Sequence, residues 1–507
     1  MAGRPNFLIL MADQLAASAL PAYGGLAKTP HLDALARGAV VFDSCYCNSP
    51  LCAPSRFSFL SGQLPSRIGA YDNAAEFPAA VPTFAHYLRQ AGYQTALSGK
   101  MHFCGPDQLH GFEERLTTDI YPSDFGWTPD WERFEERPAW YHTMDSVMQA
   151  GPCVRTNQID FDDEVTYASR QKLFDIARSR DHRPFCLVVS MTHPHDPYAV
   201  PQRYWDRYRD GEIPAPRLGR AEVPDDPHSR RLCHVIGLDL QTPTDAQVHA
   251  ARRAYFGAVS YVDEQMGVVL DALRDSALDR DTIVLVLADH GDMLGERGLW
   301  YKMNFFEPAC RIPLVIAAPG RFAPRRSAAL VSLLDVLPTL RELGGGEGAA
   351  SEAAPIDGRS LVPELNGRDA PGEVIGEYLA EAAIAPLVMI RRGRYKFIHS
   401  PADPDQLYDL ESDPDERRNL ANDPAHESAL ASFRAETARR WSLPELHQQV
   451  LASQRRRHLV YAALRQGHYT PWDFQPRRDA ARLYVRNDQE LNDTEAMARF
   501  PPPGPGS

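Results

Sequence analysis

The sequence predicts an α/β protein in which a larger unit, a sheet with helices on both faces, is followed by a smaller α+β unit with an antiparallel sheet. Three observations carry this. From the N-terminus to about residue 340, short apolar runs alternate with amphipathic stretches, the pattern of buried strands joined by packed helices. Around residues 344–358 the composition turns Gly/Ala/Pro-rich, with Gly344, Gly345, Gly346, Gly348 and Pro355, which marks a connection. Closely spaced β-rich segments follow it.

In the first unit the apolar runs Phe7–Met11, Thr95–Ser98, Phe185–Met191, Thr282–Ala288 and Leu314–Ala317 are too short for helices and read as buried strands. Helical spacing covers His31–Arg37, Thr83–Gln90, about 245–274 and Leu333–Leu343. In the second unit Val374–Tyr378, Leu387–Arg391 and Tyr395–His399 read as a small antiparallel sheet, covered by a helix near Ser428–Arg440. From about Pro444 another helix leads into an aromatic tail with His468, Tyr469, Trp472, Phe474 and Tyr484, and Pro501–Ser507 is expected to fray. The Pro/Arg/Asp-rich stretch Asp210–Arg231 reads as a surface insertion, and no internal repeat is visible. With 507 residues there is room for two to three compact units. We divide the chain at 1–360, 361–443 and 444–507.

Composition excludes several classes of function. An apolar fraction of 44% with 24% charged residues belongs to a folded chain rather than a disordered one. Fifty-four basic against sixty-seven acidic residues leave a net charge of −13, which argues against a general nucleic-acid binder. The run Phe7–Ala12 lacks a basic flank and a cleavage site and ends at Asp13, so no secretory signal is expected, and no segment reaches the length of a membrane span. Eight cysteines without Cys-x-x-Cys pairs are expected to be reduced thiols in a cytoplasmic protein, not a disulfide framework or a structural zinc site.

Chemistry concentrates at Leu51-Cys52-Ala53-Pro54-Ser55-Arg56, followed by Ser61-Gly62. Pro54 suits the first turn of a helix, so Cys52 stands at a helix N-terminus, where backbone N–H groups favour anions. Arg56, four residues on, shares its face and aims a guanidinium at the same place. Asp13, Lys100 with His102, His193, and Asp289-His290 each follow an apolar strand run. Open α/β sheets bind ligands at the carboxyl ends of their strands, so these scattered residues can converge. Asp13 and Asp289 together are hard oxygen ligands suited to a divalent cation such as Ca²⁺. Lys100 and His102, two apart, face the same way if that segment is extended.

The Cys52 string resembles the signature of the formylglycine-dependent sulfatases of the alkaline phosphatase superfamily, and the residues just named resemble the rest of that family's site. The resemblance implies an alkaline-phosphatase-like core with a mixed central sheet, and a cysteine that a formylglycine-generating maturation enzyme converts to the nucleophilic aldehyde hydrate. It implies a metal held by Asp13, residue 52, Asp289 and His290, with Ca²⁺ expected first and Mg²⁺ or Mn²⁺ as alternatives. The family usually has an Asp pair after the first strand. Here Asp13-Gln14 stands instead, which lowers the negative charge of the site. Lys100, His193 and Lys302 (in Trp300-Tyr301-Lys302) are implied to stabilise the transferred sulfate, His193 or Lys302 to protonate the leaving alcohol, and His102 to expel sulfate and restore the aldehyde, with Arg56 adding positive potential beside residue 52.

Further stretches resemble the choline-sulfatase branch of the family: Tyr71-Asp72-Asn73-Ala74-Ala75-Glu76-Phe77, Lys100 to Pro106, Thr470-Pro471-Trp472-Asp473-Phe474-Gln475-Pro476 and Tyr484-Val485-Arg486-Asn487. The implied reaction is hydrolysis of choline O-sulfate, feeding betaine synthesis or sulfur supply, by a homo-oligomer, expected to be a tetramer. A quaternary ammonium has no N–H to donate, so aromatic faces and carboxylates must recognise it. Trp127 is the expected wall and Glu381 the counter-charge, with Glu377 as runner-up. Asp493 is a contributor from the tail, in its own site or a neighbour's, and Asn73 is a contact to sulfate. The competing readings are a phosphonate monoester or phosphodiester hydrolase, a broader alkyl or aryl sulfatase, and a quaternary-ammonium binding protein without turnover.

Overall fold

The computed structural model describes residues 4–345, 353–477, 484 and 490–501. Residues 346–352 of the Gly/Ala/Pro-rich connection, Val485, Arg486 and Asn487 of the tail, and the terminal residues 502–507 lie outside them. The strands, in chain order, are β1 (Asn6–Asp13), β2 (Val40–Tyr46), β3 (Gln94–Gly99), β4 (Glu114–Arg115), β5 (Gly151–Cys153), β6 (Phe185–Pro194), β7 (Ala199–Pro201), β8 (Thr282–Ala288), β9 (Arg311–Ile312), β10 (Leu314–Ala317), β11 (Arg325–Ser332), β12 (Glu373–Tyr378), β13 (Leu387–Arg392), β14 (Tyr395–Ser400) and β15 (Asp403–Asp409). The main sheet runs β11-β2-β10-β8-β1-β6-β3-β4, with β9 on β2. It is mixed: β8, β1, β6 and β3 are parallel neighbours, whereas β10 is antiparallel to both β8 and β2. Residues 7–13, 185–194 and 282–288 are buried throughout, as near-continuous apolar runs require when both faces of a parallel sheet are covered.

Helices Pro30–Arg37, Asn157–Arg178 and Asp245–Asp275 pack together on one side of the sheet, and Cys52–Ser61, Phe84–Gln90 and Val336–Leu343 form a second group. The 31-residue Asp245–Asp275 helix starts at a Thr244/Gln247 capping box, and Thr156 caps the Asn157–Arg178 helix by accepting from the Ile159 N–H. The Cys52–Ser61 helix ends at Gly62 in the left-handed region (φ 66°). All five strand expectations of the first unit are met. Strands β2 and β11 and the Asn157–Arg178 helix were not anticipated, because Asp43-Ser44 interrupts β2 and Arg-, Ser- and Ala-rich β11 has little intrinsic strand preference. The Asp210–Arg231 stretch is not a free insertion: Ile213 and Leu218 are buried, and its last residues begin a helix at Pro227.

The second sheet is a four-stranded antiparallel meander, β12-β13-β14-β15, with the Glu427–Arg440 helix laid on it through Phe433 against Phe397 and Tyr395. It docks closely on the core. The Glu377 N–H donates to the Asn48 carbonyl, and at Gly376 a Cβ would lie 2.6 Å from the Phe305 ring. Lys396, fully buried on β14, reaches across to donate to the Phe305 carbonyl (2.9 Å) and Glu416 (2.8 Å) and pairs with Glu307 (2.6 Å). Removing its charge strands the buried Glu416 and the half-buried Glu307, so Lys396→Met is expected to lower unfolding free energy by about 3–5 kcal/mol, measured by urea denaturation.

Candidate active site

Because β8, β1, β6 and β3 are adjacent and parallel, their carboxyl ends lie side by side, and this edge gathers the predicted residues. Asp13 is the last residue of β1, Asp289 follows β8, and Lys100 follows β3. Cys52 opens a helix that comes in from β2. That helix has no cap from Leu51. Instead Asn73 accepts from the Ala53 N–H (2.9 Å), so Asn73 also fixes the helix end that presents Cys52.

Arg56 lies at the centre, with no solvent exposure. Its Nε donates to Asp289 (2.8 Å), its Nη1 to the Lys100 carbonyl (2.6 Å) and Ser190 Oγ (2.8 Å), and its Nη2 lies 3.4 Å from Asp13. Lys100 pairs with Asp13 and sits 4.2 Å from the Tyr121 ring centroid. Burial alone would raise the Asp13 pKa; the Lys100 ammonium first, with the Arg56 guanidinium, outweighs it and holds the carboxyl well below the usual range. Gln14 takes the place next to Asp13: its side-chain amide donates to Asp292 (2.7 Å) and accepts from Lys302 (2.5 Å).

Cys52, Asp13, Asp289 and His290 each offer one ligand atom, all buried and within 4.8 Å of one another. The His290 Nδ1 is committed to the Gly291 carbonyl (3.0 Å), so it carries the proton. Burial lowers the pKa of His290 and keeps the ring neutral. Its bare Nε2 then faces Cys52 Sγ at 3.2 Å, Asp13 at 3.6 Å and Asp289 at 3.7 Å. The Cys52 thiol can donate to that lone pair, but a lone pair aimed at two carboxylates is repulsive unless a cation stands between them. This donor set fits a divalent metal ion.

A profile of the sulfatase family matches residues 5–346, one of the choline sulfatase enzyme C terminal matches 448–500, and one of the N-sulphoglucosamine sulphohydrolase C-terminal region matches 295–440. The chain belongs to the sulfatase family. It is 49% identical to the choline-sulfatase of Rhizobium meliloti (strain 1021), over 98% of this chain and 99% of that one, and 26% identical to the arylsulfatase of Clostridium perfringens, over 80% and 90%. Among solved structures, the phosphonate monoester hydrolase SpPMH of Silicibacter pomeroyi superposes with a TM-score of 0.67 at 26% identity, over 86% of this chain and 94% of that one. Sulfatases generally use a metal and a formylglycine.

In this sulfatase His193 is not gathered with the others. The β1–β6 register shifts at the strand end, where Asp13 pairs with Pro194 after Ala12 has paired with Met191. That bulge turns the His193 ring to Asp162 (2.7 Å) and the Tyr261 ring. His195 occupies the site instead, with Nδ1 against the Asp196 carbonyl (2.7 Å) and Nε2 2.8 Å from Lys302 Nζ. Burial, then Lys302, pushes its pKa well below the ordinary value, so the ring is neutral and Nε2 accepts from Lys302. Sequence reasoning passed over His195 although it lies in the same Thr192-His193-Pro194-His195-Asp196 run; strand alternation does not survive a bulge. His102 is present, but not on an extended segment: its φ is 60°. Asp119 accepts from the Met101 and His102 N–H groups, and both ring nitrogens of buried His102 lack a partner. Burial lowers its pKa, and Cys52 partly restores it.

The remaining expectations separate. Trp127 forms an aromatic wall with Tyr121 (5.2 Å) and Trp140 (6.0 Å, stacked), edge-on to His102. The Glu381 carboxylate is buried with neither oxygen hydrogen-bonded, and burial, then Asp72, pushes its pKa up to about 8. Glu377 is excluded as a counter-charge, because it accepts from Ser66 N (2.8 Å), Ser66 Oγ (2.7 Å) and Trp441 Nε1 (2.6 Å). Asp493 is not gathered in its own chain. It is exposed on the Leu491–Ala498 helix, whose end is fastened to Arg178 and Phe174.

Metal binding is expected to register in stability. Added to chelator-treated protein at about a hundredfold excess over Kd, the bound cation stabilises by about 2.7 kcal/mol, seen as a rise in melting temperature when Ca²⁺, Mg²⁺ and Mn²⁺ are compared. Asp13→Asn should abolish the rise.

Proposed function

We propose that this sulfatase hydrolyses choline O-sulfate to choline and inorganic sulfate. The observation that carries the reading is Glu381, a buried carboxylate with no hydrogen-bond partner, near enough to Cys52 and Lys302 to interact electrostatically with both. A buried unpaired acid requires an explanation. A cation that cannot donate a hydrogen bond supplies one, since it neutralises the carboxylate by charge alone while aromatic faces contribute about 2 kcal/mol or more. Tyr141, whose own pKa burial and then Glu381 raise, links that carboxylate to Trp140 and so to Trp127. The substrate's two charges thus match the two ends of the site, sulfate at Lys100 and Lys302 and ammonium at Glu381. The 49% identity to a choline-sulfatase supports the same reading. The lower identity to the phosphonate monoester hydrolase does not favour that alternative.

Formylglycine at residue 52 and a divalent cation on Asp13, Asp289 and His290, Ca²⁺ by preference for its hard oxygen donors, would supply the activated nucleophile. The chain's own groups do the rest. Lys100 and Arg56 place positive charge where the transferred sulfate gathers negative charge. Lys302 spends two N–H bonds on Gln14 and His195, leaving the third to donate to the departing alkoxide. Alkyl esters depend on that proton more than aryl esters do. His102, neutral and with free ring nitrogens, accepts a proton near residue 52. We infer that a formylglycine-generating enzyme matures Cys52 and that the protein is a cytoplasmic homotetramer. All eight cysteines are free thiols, and among the described residues no helix is long and apolar enough to cross a membrane. We retain 1–360, 361–443 and 444–507 as catalytic unit, α+β unit and extension.

Protein of verified formylglycine content should give a kcat/KM for choline sulfate at least about tenfold above that for neutral 3,3-dimethylbutyl sulfate, or about 1.4 kcal/mol. The ratio should climb as pH rises through about 8, where Glu381 ionises, and should collapse in Glu381→Gln. Equal rates would sink the substrate assignment while leaving the sulfatase chemistry standing. For the proton relay, His195→Gln is expected to lower kcat about 10²- to 10⁴-fold, while His193→Gln costs mainly thermal stability; the opposite ranking would return the role to His193.

A further inference from the structure

Trp127 stands on a stretch, residues 121–130, that has no helix or strand of its own. Its conformation is held from the far end of the chain, almost residue by residue. Asp473 accepts from both the N–H and the hydroxyl of Ser123 (3.1 and 3.0 Å). Tyr469 donates to Asp124. The Trp472 ring packs edge-on to Phe125 at 5.2 Å. A Cβ at Gly126 would lie 3.1 Å from the Tyr461 hydroxyl. Arg457 donates to Thr128 Oγ1 (3.0 Å), and Gln454 accepts from the Trp131 N–H (3.0 Å).

The same residues reach Asn73 and Glu381 through one intermediary each. Buried Arg457 binds both oxygens of Asp72 at 2.6 Å, next to Asn73. Trp131, held by Gln454, donates from its indole to the Ala380 carbonyl (2.9 Å), next to Glu381. Taken singly these are ordinary packing contacts. Together they fall on the immediate sequence neighbours of Asn73, Trp127 and Glu381.

We propose that residues 454–474 are a positioning clamp for substrate selectivity: without touching the substrate, they set the wall and counter-charge that recognise its cationic end. This rests on the reading of the substrate given above. The sulfate end is built from the strand ends of the core, so loosening the clamp should weaken recognition of the ammonium and spare sulfate-ester cleavage. A loss of that kind appears in KM rather than kcat, because it removes binding common to ground and transition states.

The test compares wild type, Asp473→Ala and the double variant Trp472→Ala/Asp473→Ala, each in the full-length, formylglycine-verified enzyme, on choline sulfate and 3,3-dimethylbutyl sulfate. Expected is a drop of about tenfold or more in kcat/KM for choline sulfate, carried by KM, with the neutral ester within about twofold of wild type. Equal losses on both esters, or no loss on either, would overturn the clamp. If the double variant melts far below wild type, Asp473→Ala alone carries the comparison, since that side chain is exposed. A wild type that does not distinguish the two esters would overturn the substrate reading and the clamp with it, whereas a discriminating wild type with discriminating variants overturns the clamp alone.

Discussion

A single buried guanidinium organises this molecule. Arg56 ties the helix that carries Cys52 to the ends of three parallel strands, through Asp289 after β8, Asp13 of β1 and the Lys100 carbonyl after β3, with Ser190 of β6 completing the set. A charge taken fully out of water must be paired and hydrogen-bonded. The strand ends therefore cannot move apart, nor the helix withdraw, without exposing an uncompensated ion. Two carboxylates meet two cations here, Arg56 and Lys100. Asp13 stays ionised in the interior, as a metal site requires, inside a protein whose overall charge is negative.

The site has two ends of different construction. The sulfate end is made by the core, where parallel strands deliver short side chains at fixed spacing and the loop after β8 adds His290 and Lys302. The ammonium end is assembled from irregular segments around Trp127 and Glu381. Such segments lack ladder hydrogen bonds to hold them, so their order has to come from outside. The second sheet and the C-terminal helices supply it, with Lys396 and Arg457 as buried charges that join distant parts of the chain. Rigid chemistry and adjustable specificity are thereby placed on separate supports.

Much of the sulfate end was legible in the sequence because its signals are local. Cys52 and Arg56 share one helical turn, and Asp13, Lys100 and Asp289 each follow an apolar run. His193 was named from its place after an apolar run and from the family resemblance, and a register shift at that strand end turns its ring to Asp162 while His195 meets Lys302. At the ammonium end Glu381 was named from residue chemistry, but nothing local separates it from Glu377. Only the partners do: Ser66 and Trp441 satisfy one carboxylate, and the other is left bare.

By itself the sequence determined the family, the α/β order of elements and the residue types at the reacting centre, because periodicity and short motifs are properties of neighbouring residues. Tertiary structure alone decided which histidine faces Lys302, which glutamate is unpaired, and how residues 454–474 come to hold a segment more than three hundred positions earlier. Those outcomes depend on desolvation and on contacts between residues far apart in the chain, and no local pattern of residues encodes either.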